Sequence, residues 1–567
     1  MTTPAFSIPP EARMRPPNEV MRLARMGASF PTRLSFARRL VQRMHREHWR
    51  VERTRFCLDD GGYGTALYVV TTPERCYSLI CFSHFLEPER RTDRVIAEAW
   101  DATFSLFDGV PTDADIDRLE YQTPKQEAGR FQASELVMSR ANKSLRLFDQ
   151  VVDTLARGYQ PDSTAVDAVG YLMRTTAVYG NGKFGMADRT RYADRPELAP
   201  PYQAEMLTVY LIRTFTLDFV EHLARSRVPN GAVTLDRRLK RHLGVGNATG
   251  LGMAPFMVSH PVLIHNWFNA RETALARVRF LKVVMPDRLV RFRELLTQAE
   301  LHVAEWNVDD ELQTGRIAAL REDLRVMAKW AAEGSNTFEE LAPWNAIYRQ
   351  AESSLSIEGQ ELLVSLLLEL YPELIDELGE GLQVELEEPF NPSVTVAEMR
   401  AIVDRHYAWA LAVDFSNPRE SQYFWYYSRE KIEPRRGVRC EGPGVEKEMQ
   451  ISVARDVQAL RTALSEAHDD QLVGVFLMSH AELRHVARRV QIASRYAYAE
   501  IQDNVIAASC RPIDILRSKL AFFGASKFDP KSDLWTRITM YQGAPLDDEL
   551  DSTDADDWCF PVKPVIE

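Results

Sequence analysis

The chain has 567 residues, of which 45% are hydrophobic and 26% are charged, and its formal net charge at pH 7 is −12. This composition is typical of globular proteins rather than disordered or fibrous ones, and the length predicts two to three domains. Nucleic-acid binding requires a basic stripe, so an acidic chain predicts no nucleic-acid partner. A local cationic pocket for a small anionic molecule is compatible with this net charge.

The cysteines and the apolar segments predict a reducing compartment and no membrane partner. The six cysteines are scattered and form no C-x-x-C pair, which argues against a zinc ribbon or a redox dithiol. Residues 1–17 are proline-rich and lack the apolar run of a signal peptide. The most apolar later segment, 362–374, is interrupted by Glu369 and Glu373. We therefore expect a soluble, cytoplasmic protein.

The amino-terminal part of the chain is predicted to combine helices with a small sheet. Residues 18–49 have helical spacing and dense arginines, which indicates a solvated helix face or, less commonly, a surface for an anionic partner. Three β-branched and aromatic runs predict a small antiparallel meander, and a fourth run predicts a further strand: 53–58, 66–71, 76–82 and 103–107.

From residue 113 onward the hydrophobic periodicity is mainly helical. Residues 134–156 and 165–178 predict two helices, and residues 203–225, apolar on nearly all sides, predict a central helix. Residues 535–541 predict a strand. The expected fold is therefore mostly α (α+β), a helical multi-domain protein with a small antiparallel sheet near the amino terminus. The predicted divisions are a flexible arm (1–17), an α+β region (18–160), a central helical domain (161–382), a carboxyl-terminal helical domain (394–546) and an acidic tail (547–567).

Two loops that contain glycine and asparagine are the strongest candidates for a binding site. The first, 179–185, ends a predicted helix, and the second, 244–252, precedes a helix whose first turn contains Pro261. Backbone N–H groups in such a loop can hold a phosphate or a carboxylate. The second loop matches neither a Walker loop nor a dinucleotide fingerprint. The alternative for both loops is a turn whose glycines need a positive φ angle.

Charged and polar residues in and around these loops are the predicted substrate ligands. Arg174 and Arg213 interrupt helices that are otherwise apolar, and such a charge is either paired or faces a wet cavity. Structural pairing is the commoner outcome, and the alternative is that these side chains hold a carboxylate or phosphate. The predicted substrate-binding residues are Arg174, Tyr179, Asn181, Arg189, Arg213, Asn247 and Thr249.

Four residues are candidates for catalysis: His260, His265, Lys183 and Cys440. A histidine titrates near neutral pH and can transfer protons, although a lone histidine is more often a core residue. Because five residues separate His260 from His265, the two side chains lie on different faces of a helix, which argues against a joint metal site. Cys440 follows three arginines in a loop with glycine and proline, and their positive charge favours a reactive thiolate. No metal site is predicted, and no motif specifies a cofactor.

These patterns predict a cytosolic metabolic enzyme that acts on a small anionic substrate, a carboxylate or a phosphate. Its acid–base chemistry is expected to be lyase-like or transferase-like. The alternative is a non-catalytic helical scaffold that binds other proteins through its arginine-rich amino-terminal helix and its acidic tail. Glycine–asparagine loops beside a buried, charged helix favour the enzyme, since a scaffold needs neither.

Overall fold

The strands form one large and one small sheet in the computed structural model, which describes residues 13–90, 99–123, 132–180, 194–249, 260–306, 308–332, 342–382, 390–422, 424–428, 434–438, 448–503, 509–530, 536–552 and 558–565. Within these ranges the strands are β1 (Arg50–Leu58), β2 (Gly64–Thr71), β3 (Cys76–Ser83), β4 (Ala102–Asp108), β5 (Glu135–Lys143), β6 (Tyr171–Gly180), β7 (Gly244–Thr249), β8 (Trp425–Ser428), β9 (Pro434–Arg436), β10 (Glu448–Gln450), β11 (Lys527–Pro530) and β12 (Thr536–Met540). The large sheet has the order β1-β2-β3-β4-β5-β6-β7-β12-β11, and the small one has the order β10-β8-β9.

Helices flank the large sheet and extend beyond it. In the same ranges they are α1 (Pro17–Val20), α2 (Leu23–Gly27), α3 (Phe36–Arg46), α4 (Asp113–Gln122), α5 (Phe148–Ala156), α6 (Ser163–Val169), α7 (Gln203–Arg227), α8 (Arg237–His242), α9 (Pro261–Arg279), α10 (Pro286–Ala304), α11 (Glu311–Ala332), α12 (Pro343–Ser354), α13 (Ile357–Glu369), α14 (Pro372–Glu380), α15 (Val396–His406), α16 (Ala408–Leu411), α17 (Pro418–Gln422), α18 (Ala454–Glu466), α19 (Val473–Ser479), α20 (Arg484–Arg495) and α21 (Pro512–Phe523).

The fold is α/β, and the prediction of a mostly helical chain with a small sheet is wrong. The predicted meander is confirmed as β1 to β3, with β4 as the fourth strand, but five more strands extend the sheet to nine. Residues 134–156 and 165–178, predicted as helices, contain β5 and most of β6. Seven of the nine residues of β5 are buried, so the strand lacks the alternation of apolar and polar residues that marks a half-exposed strand.

Both faces of the sheet are covered near its amino-terminal strands. On one face, Leu67 of β2 packs in a cluster with Ile116 and Leu119 of α4. On the other face, Tyr68 of β2 and Phe104 of β4 contact the Phe215 ring of α7 edge to face. Adjacent residues of a strand point to opposite faces, so each strand here contributes to two hydrophobic layers.

The central helix predicted over 203–225 is confirmed as α7, which is buried along most of its length. Together with α8 it lies in the connection between β6 and β7, which are neighbours in the sheet and run parallel. Parallel neighbours need such a crossover connection, whereas antiparallel neighbours can be joined by a tight turn. All other neighbouring pairs of the large sheet are antiparallel within the described residues.

Buried ion pairs tie the first residues of the described chain to the central helices. Arg15 donates to Glu272 of α9 and to Glu361 of α13, and Arg25 and Arg271 donate to the same Glu361 carboxylate. Helices α15, α16, α18, α19 and α20 pack around a separate hydrophobic cluster.

The last part of the chain returns to the large sheet. Helix α21 packs on β11 and β12, and the predicted strand 535–541 is confirmed as β12. Trp558, Cys559 and Phe560 are buried in the same core as the sheet. In the described part of the chain, no helix is both long and apolar enough to cross a lipid bilayer.

Candidate functional site

The parallel pair β6–β7 brings the middle of β6 beside the carboxyl end of β7. Thr175 of β6 lies opposite Asn247 of β7, two residues before β7 ends. In open sheets with parallel strands, ligands bind beyond the carboxyl ends of those strands. The two strands lead in sequence into residues 181–193 and 250–259, which lie outside the described residues.

A chain of hydrogen bonds connects three side chains at this position. The Lys519 Nζ donates to Asn247 Oδ1 over 2.8 Å, and Asn247 Nδ2 donates to Thr175 Oγ1 over 2.9 Å. Thr175 Oγ1 in turn donates to the carbonyl oxygen of Gly246 over 3.2 Å. Because an ammonium group only donates, this chain orients the Asn247 amide with its oxygen toward Lys519.

Lys519 is buried, and the described part of the chain gives it no counter-charge. Its side chain lies on α21, the residue is 6% exposed, and no carboxylate among the described residues pairs with it. The Nζ lies 5.6 Å from the centroid of the Phe523 ring. Burial lowers the pKa of Lys519 to about 8, because a low-dielectric surrounding disfavours the ammonium form.

The local sequence of α21 explains why Lys519 is held in place. Pro512 occupies the first helical position, and the Asp514 carboxylate accepts from the Arg511 N–H over 2.9 Å. The helix ends at Gly524 with φ +79°, where a Cβ would lie 2.7 Å from the Ser35 hydroxyl. All twelve residues of α21 are buried, so Lys519 lies in a helix fixed on every side.

A second buried lysine, on the edge strand β11, provides a contrast. Lys527, at the start of β11, donates to the backbone carbonyl of Asp167, close to the amino end of β6. Burial lowers the pKa of Lys527, while the nearby Asp167 and Asp529 carboxylates raise it. Lys527 thus has acidic neighbours that Lys519 lacks within the described chain.

The structure places the predicted substrate ligands as follows. Asn247 belongs to the Lys519 cluster, and Arg174 is buried on β6 next to Thr175. Thr249 is the last residue of β7, and Tyr179 lies in β6 opposite Met138. The predicted ligands Asn181 and Arg189 lie outside the described residues, as do the predicted catalytic residues Lys183 and Cys440.

The glycines at 244 and 246 belong to strand β7 rather than to a loop. A Cβ on Gly244 would lie 2.2 Å from the Met540 carbonyl oxygen, and one on Gly246 would lie 2.7 Å from the Tyr171 ring. Neither residue is among those with a positive φ angle. Close approach of neighbouring strands and rings therefore explains these two glycines without a bound anion or a turn.

Arg213 is fully engaged with backbone carbonyls. Its guanidinium group makes five hydrogen bonds, to the carbonyl oxygens of Leu243, Pro545, Lys240, Arg241 and Ala544. Burial lowers the pKa of Arg213 to about 10. These bonds tie α7 to the start of β7 and to the segment after β12, so we do not include Arg213 in the candidate site.

The two histidines of α9 do not contact Lys519. His260 precedes the helix as its N-cap, and Pro261 occupies the first helical position as predicted. His265 Nδ1 accepts from the Tyr498 backbone N–H over 3.0 Å. Burial lowers the pKa of His265 to about 4, so the imidazole is neutral at pH 7 and a weak base.

Sequence reasoning missed Lys519 and Thr175. Lys519 lies in the run Pro512–Phe523, where apolar residues occupy most positions, and the argument applied to Arg213 would have identified it. Its partner Asn247 is 272 positions away in sequence, so the pairing itself has no sequence signal.

Among the described residues, no three histidine, cysteine, aspartate or glutamate side chains are grouped so that they would hold a metal ion. Comparison with protein-family models, with curated proteins and with solved structures gave no match.

Proposed function

We propose that the chain is a cytoplasmic enzyme that binds a small anionic substrate, a carboxylate or a phosphate, near the carboxyl end of β7 and beside β6. Lys519 is the group that binds the anion and transfers a proton. The observation that supports this proposal most strongly is a buried amine with no carboxylate partner in the described chain, hydrogen-bonded to Asn247 beside the parallel strand pair.

An unpaired buried amine destabilises the folded state, and an anion offsets that effect. Burial of an ammonium group without a counter-charge costs several kcal/mol, and the amine responds by losing its proton more readily. A carboxylate or phosphate next to Lys519 would supply the missing charge and favour the ammonium form. The folded chain is thus expected to bind such an anion more tightly at neutral pH than at pH 10.

A pKa near 8 also suits Lys519 for acid–base chemistry. At a pH close to this value both the amine and the ammonium form are populated, so the group can take a proton from a substrate and return it. Asn247 holds the nitrogen through its amide oxygen, and Thr175 holds Asn247. Such a proton carrier supports lyase-like or transferase-like reactions.

Two features of the sequence support the choice of a small cytoplasmic substrate. The net charge of −12 disfavours nucleic acid as the anion that Lys519 binds, because the negative charge of the protein repels a polyanion. The scattered cysteines are suited to a reducing compartment.

A thermal-shift screen of small carboxylates and sugar phosphates tests the proposal. A compound that binds the folded state raises the melting temperature by mass action. We expect at least one compound to stabilise the wild type and to have no effect on Lys519→Met. Lys527→Met is the matched control, because it removes the other lysine that is buried among the described residues. This variant should respond to the compounds like the wild type. The proposal would be contradicted, and the scaffold favoured, if no compound stabilised the wild type or if every compound that did so stabilised Lys519→Met equally.

Calorimetry then tests the role of the proton. Anion binding should raise the pKa of Lys519, so at pH 8 the complex takes up part of a proton from the buffer. The binding enthalpy of the most stabilising compound should therefore depend on the ionisation enthalpy of the buffer. Any residual binding to Lys519→Met should lack this dependence. A binding enthalpy that is the same in all buffers argues against proton transfer by Lys519.

A further inference from the structure

The nitrogen of Lys519 makes a single hydrogen bond among the residues that the structure describes. It donates to Asn247 Oδ1 over 2.8 Å, and the lysine is 6% exposed. An ammonium group has three N–H donors, so two of them would lack an acceptor from the described chain. The hydrogen bonding around Lys519 is therefore better suited to a nitrogen that carries fewer N–H groups.

Asn247 also determines where a neutral Lys519 amine directs its lone pair. The Asn247 amide oxygen only accepts hydrogen bonds, and Asn247 Nδ2 donates to Thr175 Oγ1 over 2.9 Å. The amine therefore directs an N–H at Asn247, and its lone pair points to another side. A buried amine with a free lone pair is a nucleophile for a carbonyl carbon, and burial keeps part of the Lys519 population in this form at pH 7.5.

The contact between Lys519 and Asn247 lies near the end of a strand rather than in the middle of the core. Asn247 is partly exposed, and β7 ends two residues after it. Solvent therefore reaches one of the two partners of this hydrogen bond. Because Lys519 itself is buried, the smallest carbonyl compounds are the reactants that suit such an approach.

We propose that Lys519 forms a covalent imine with a small 2-oxo acid. The inference rests on the proposed function, since the anion bound at Lys519 is then the carboxylate of this substrate. A protonated imine has one N–H, which matches the one acceptor that Asn247 provides. The substrate carboxylate lies next to the positive charge of the imine and supplies the counter-charge that the described chain lacks. A phosphate without a carbonyl group does neither.

The reaction needs only the amine, the 2-oxo acid and one proton from solvent. The Lys519 lone pair forms a bond to the 2-oxo carbon, and a proton moves from the nitrogen to the former carbonyl oxygen. The hydroxyl group so formed takes a proton from solvent and leaves as water. The product is a protonated carbon–nitrogen double bond between Lys519 and the substrate, with its N–H directed at Asn247 Oδ1.

Reductive trapping with pyruvate and sodium cyanoborohydride at pH 7.5 tests the proposal on the full chain. The reagent reduces a protonated imine to a stable secondary amine, which adds the mass of pyruvic acid less one oxygen atom. We expect one such addition per chain by mass spectrometry. Peptide mapping should find at least tenfold more of it on Lys519 than on Lys282, which is exposed. Lactate, which has the carboxylate but no carbonyl group, should add nothing.

Asn247→Asp is the variant that tests the role of the neutral amine. A carboxylate at this position gives Lys519 a counter-charge and raises the pKa of its amine, so the nitrogen keeps its proton and loses its lone pair. Labelling of Lys519 at pH 7.5 should fall at least fivefold in this variant. Lys527→Met is the control, and its Lys519 should be labelled as in the wild type.

Absence of an adduct on Lys519 of the wild type would overturn the proposal. Equal labelling of Lys519 and Lys282, or of wild type and Asn247→Asp, would overturn it as well. The thermal-shift screen distinguishes this failure from failure of the proposed function. If carboxylates stabilise the wild type but not Lys519→Met, and pyruvate forms no adduct, the imine is refuted and the anion site stands. If neither stabilisation nor an adduct is found, both are refuted.

Discussion

Phe36 and Phe523 pack edge to face, with ring centroids 5.2 Å apart. The Phe523 ring in turn lies 5.6 Å from the Lys519 Nζ. Tyr202 contacts both rings. These three rings therefore pack together beside Lys519. Substitution of Phe523 changes the surroundings of Lys519, whereas Lys519→Met leaves the three rings in place.

The packing role of Gly246 gives a first prediction. A Cβ at this position would lie 2.7 Å from the Tyr171 ring, so Gly246→Ala should destabilise the fold by about 1–3 kcal/mol in urea unfolding. Tyr171→Leu in the same chain should recover part of the loss, since the ring is removed. Gly315→Ala is the control, because nothing lies within 4 Å of its Cβ position in α11, and it should be neutral or stabilise by about 0.5–1 kcal/mol. Full stability of Gly246→Ala would refute the packing explanation.

The carbonyl contacts of Arg213 give a second prediction. Arg213→Met leaves several buried carbonyl oxygens without a donor, and the loss should exceed about 3 kcal/mol. Arg225→Met, on the same helix, removes an arginine that is 56% exposed and pairs with Glu221, so it should cost less than about 1 kcal/mol. The measurement is the urea concentration at which half of each variant is unfolded, compared with that of the wild type. Similar midpoints would show that the carbonyl contacts of Arg213 contribute little.

The pH dependence of stability should report on Glu361. Burial alone raises the pKa of this carboxyl, but the charges of Arg15, Arg271 and Arg25 more than reverse the effect, and the pKa lies well below its ordinary value of 4.5. A depressed folded pKa means that the stabilisation is fully present above pH 4.5 and is lost as the pH falls toward the folded value. Glu361→Gln should therefore lose about 3–5 kcal/mol at pH 7, and the difference from wild type should shrink below pH 4.5.

Glu377→Gln is the control for this pH series. Glu377 pairs with Arg277 but is 66% exposed, so its substitution should cost less than about 1 kcal/mol. Denaturant unfolding at several values between pH 3 and pH 7 measures both variants. A constant difference between wild type and Glu361→Gln across this range would contradict a depressed Glu361 pKa.

The parts of the fold that could be predicted from sequence are those with a local signal. Short turns join β1 to β2 and β2 to β3, and α7 is long and apolar, so both predictions agree with the structure. Strands β5 and β6 lie in the interior of the sheet, and the side chains of β5 are buried on both faces, so the period of two disappears there. Residues 171–175 of β6 are buried in the same way. Strand β12 pairs with β7 from nearly 300 positions away, and no local pattern indicates such a partner.

The candidate site could be predicted only in part, for a similar reason. Asn247 stands out in a glycine-rich stretch, and the sequence supports it as a ligand-binding residue. Packing explains Gly244 and Gly246, so neither glycine is evidence for a loop that binds an anion. Lys519 enters the site through the tertiary fold, because α21 packs on the strands next to β7.

The proposed role of Lys519 requires a buried amine that is retained for function at the expense of stability. The most direct test is the free energy of unfolding of wild type and Lys519→Met, measured from pH 6 to pH 10. The folded pKa is about 8 and the ordinary value is 10.5, so the unfolded chain binds more protons between them, and the wild type gains stability as the pH rises through this range. The full difference corresponds to about 3 kcal/mol at 1.36 kcal/mol per pKa unit.

Loss of the donor to Asn247 Oδ1 opposes this gain by about 1–3 kcal/mol. We therefore predict that Lys519→Met is as stable as the wild type or up to about 2 kcal/mol more stable at pH 7, and that this advantage falls steadily above pH 8. A variant that is less stable than the wild type at every pH, by a constant amount, would contradict the account. Lys519 would then be a structural residue.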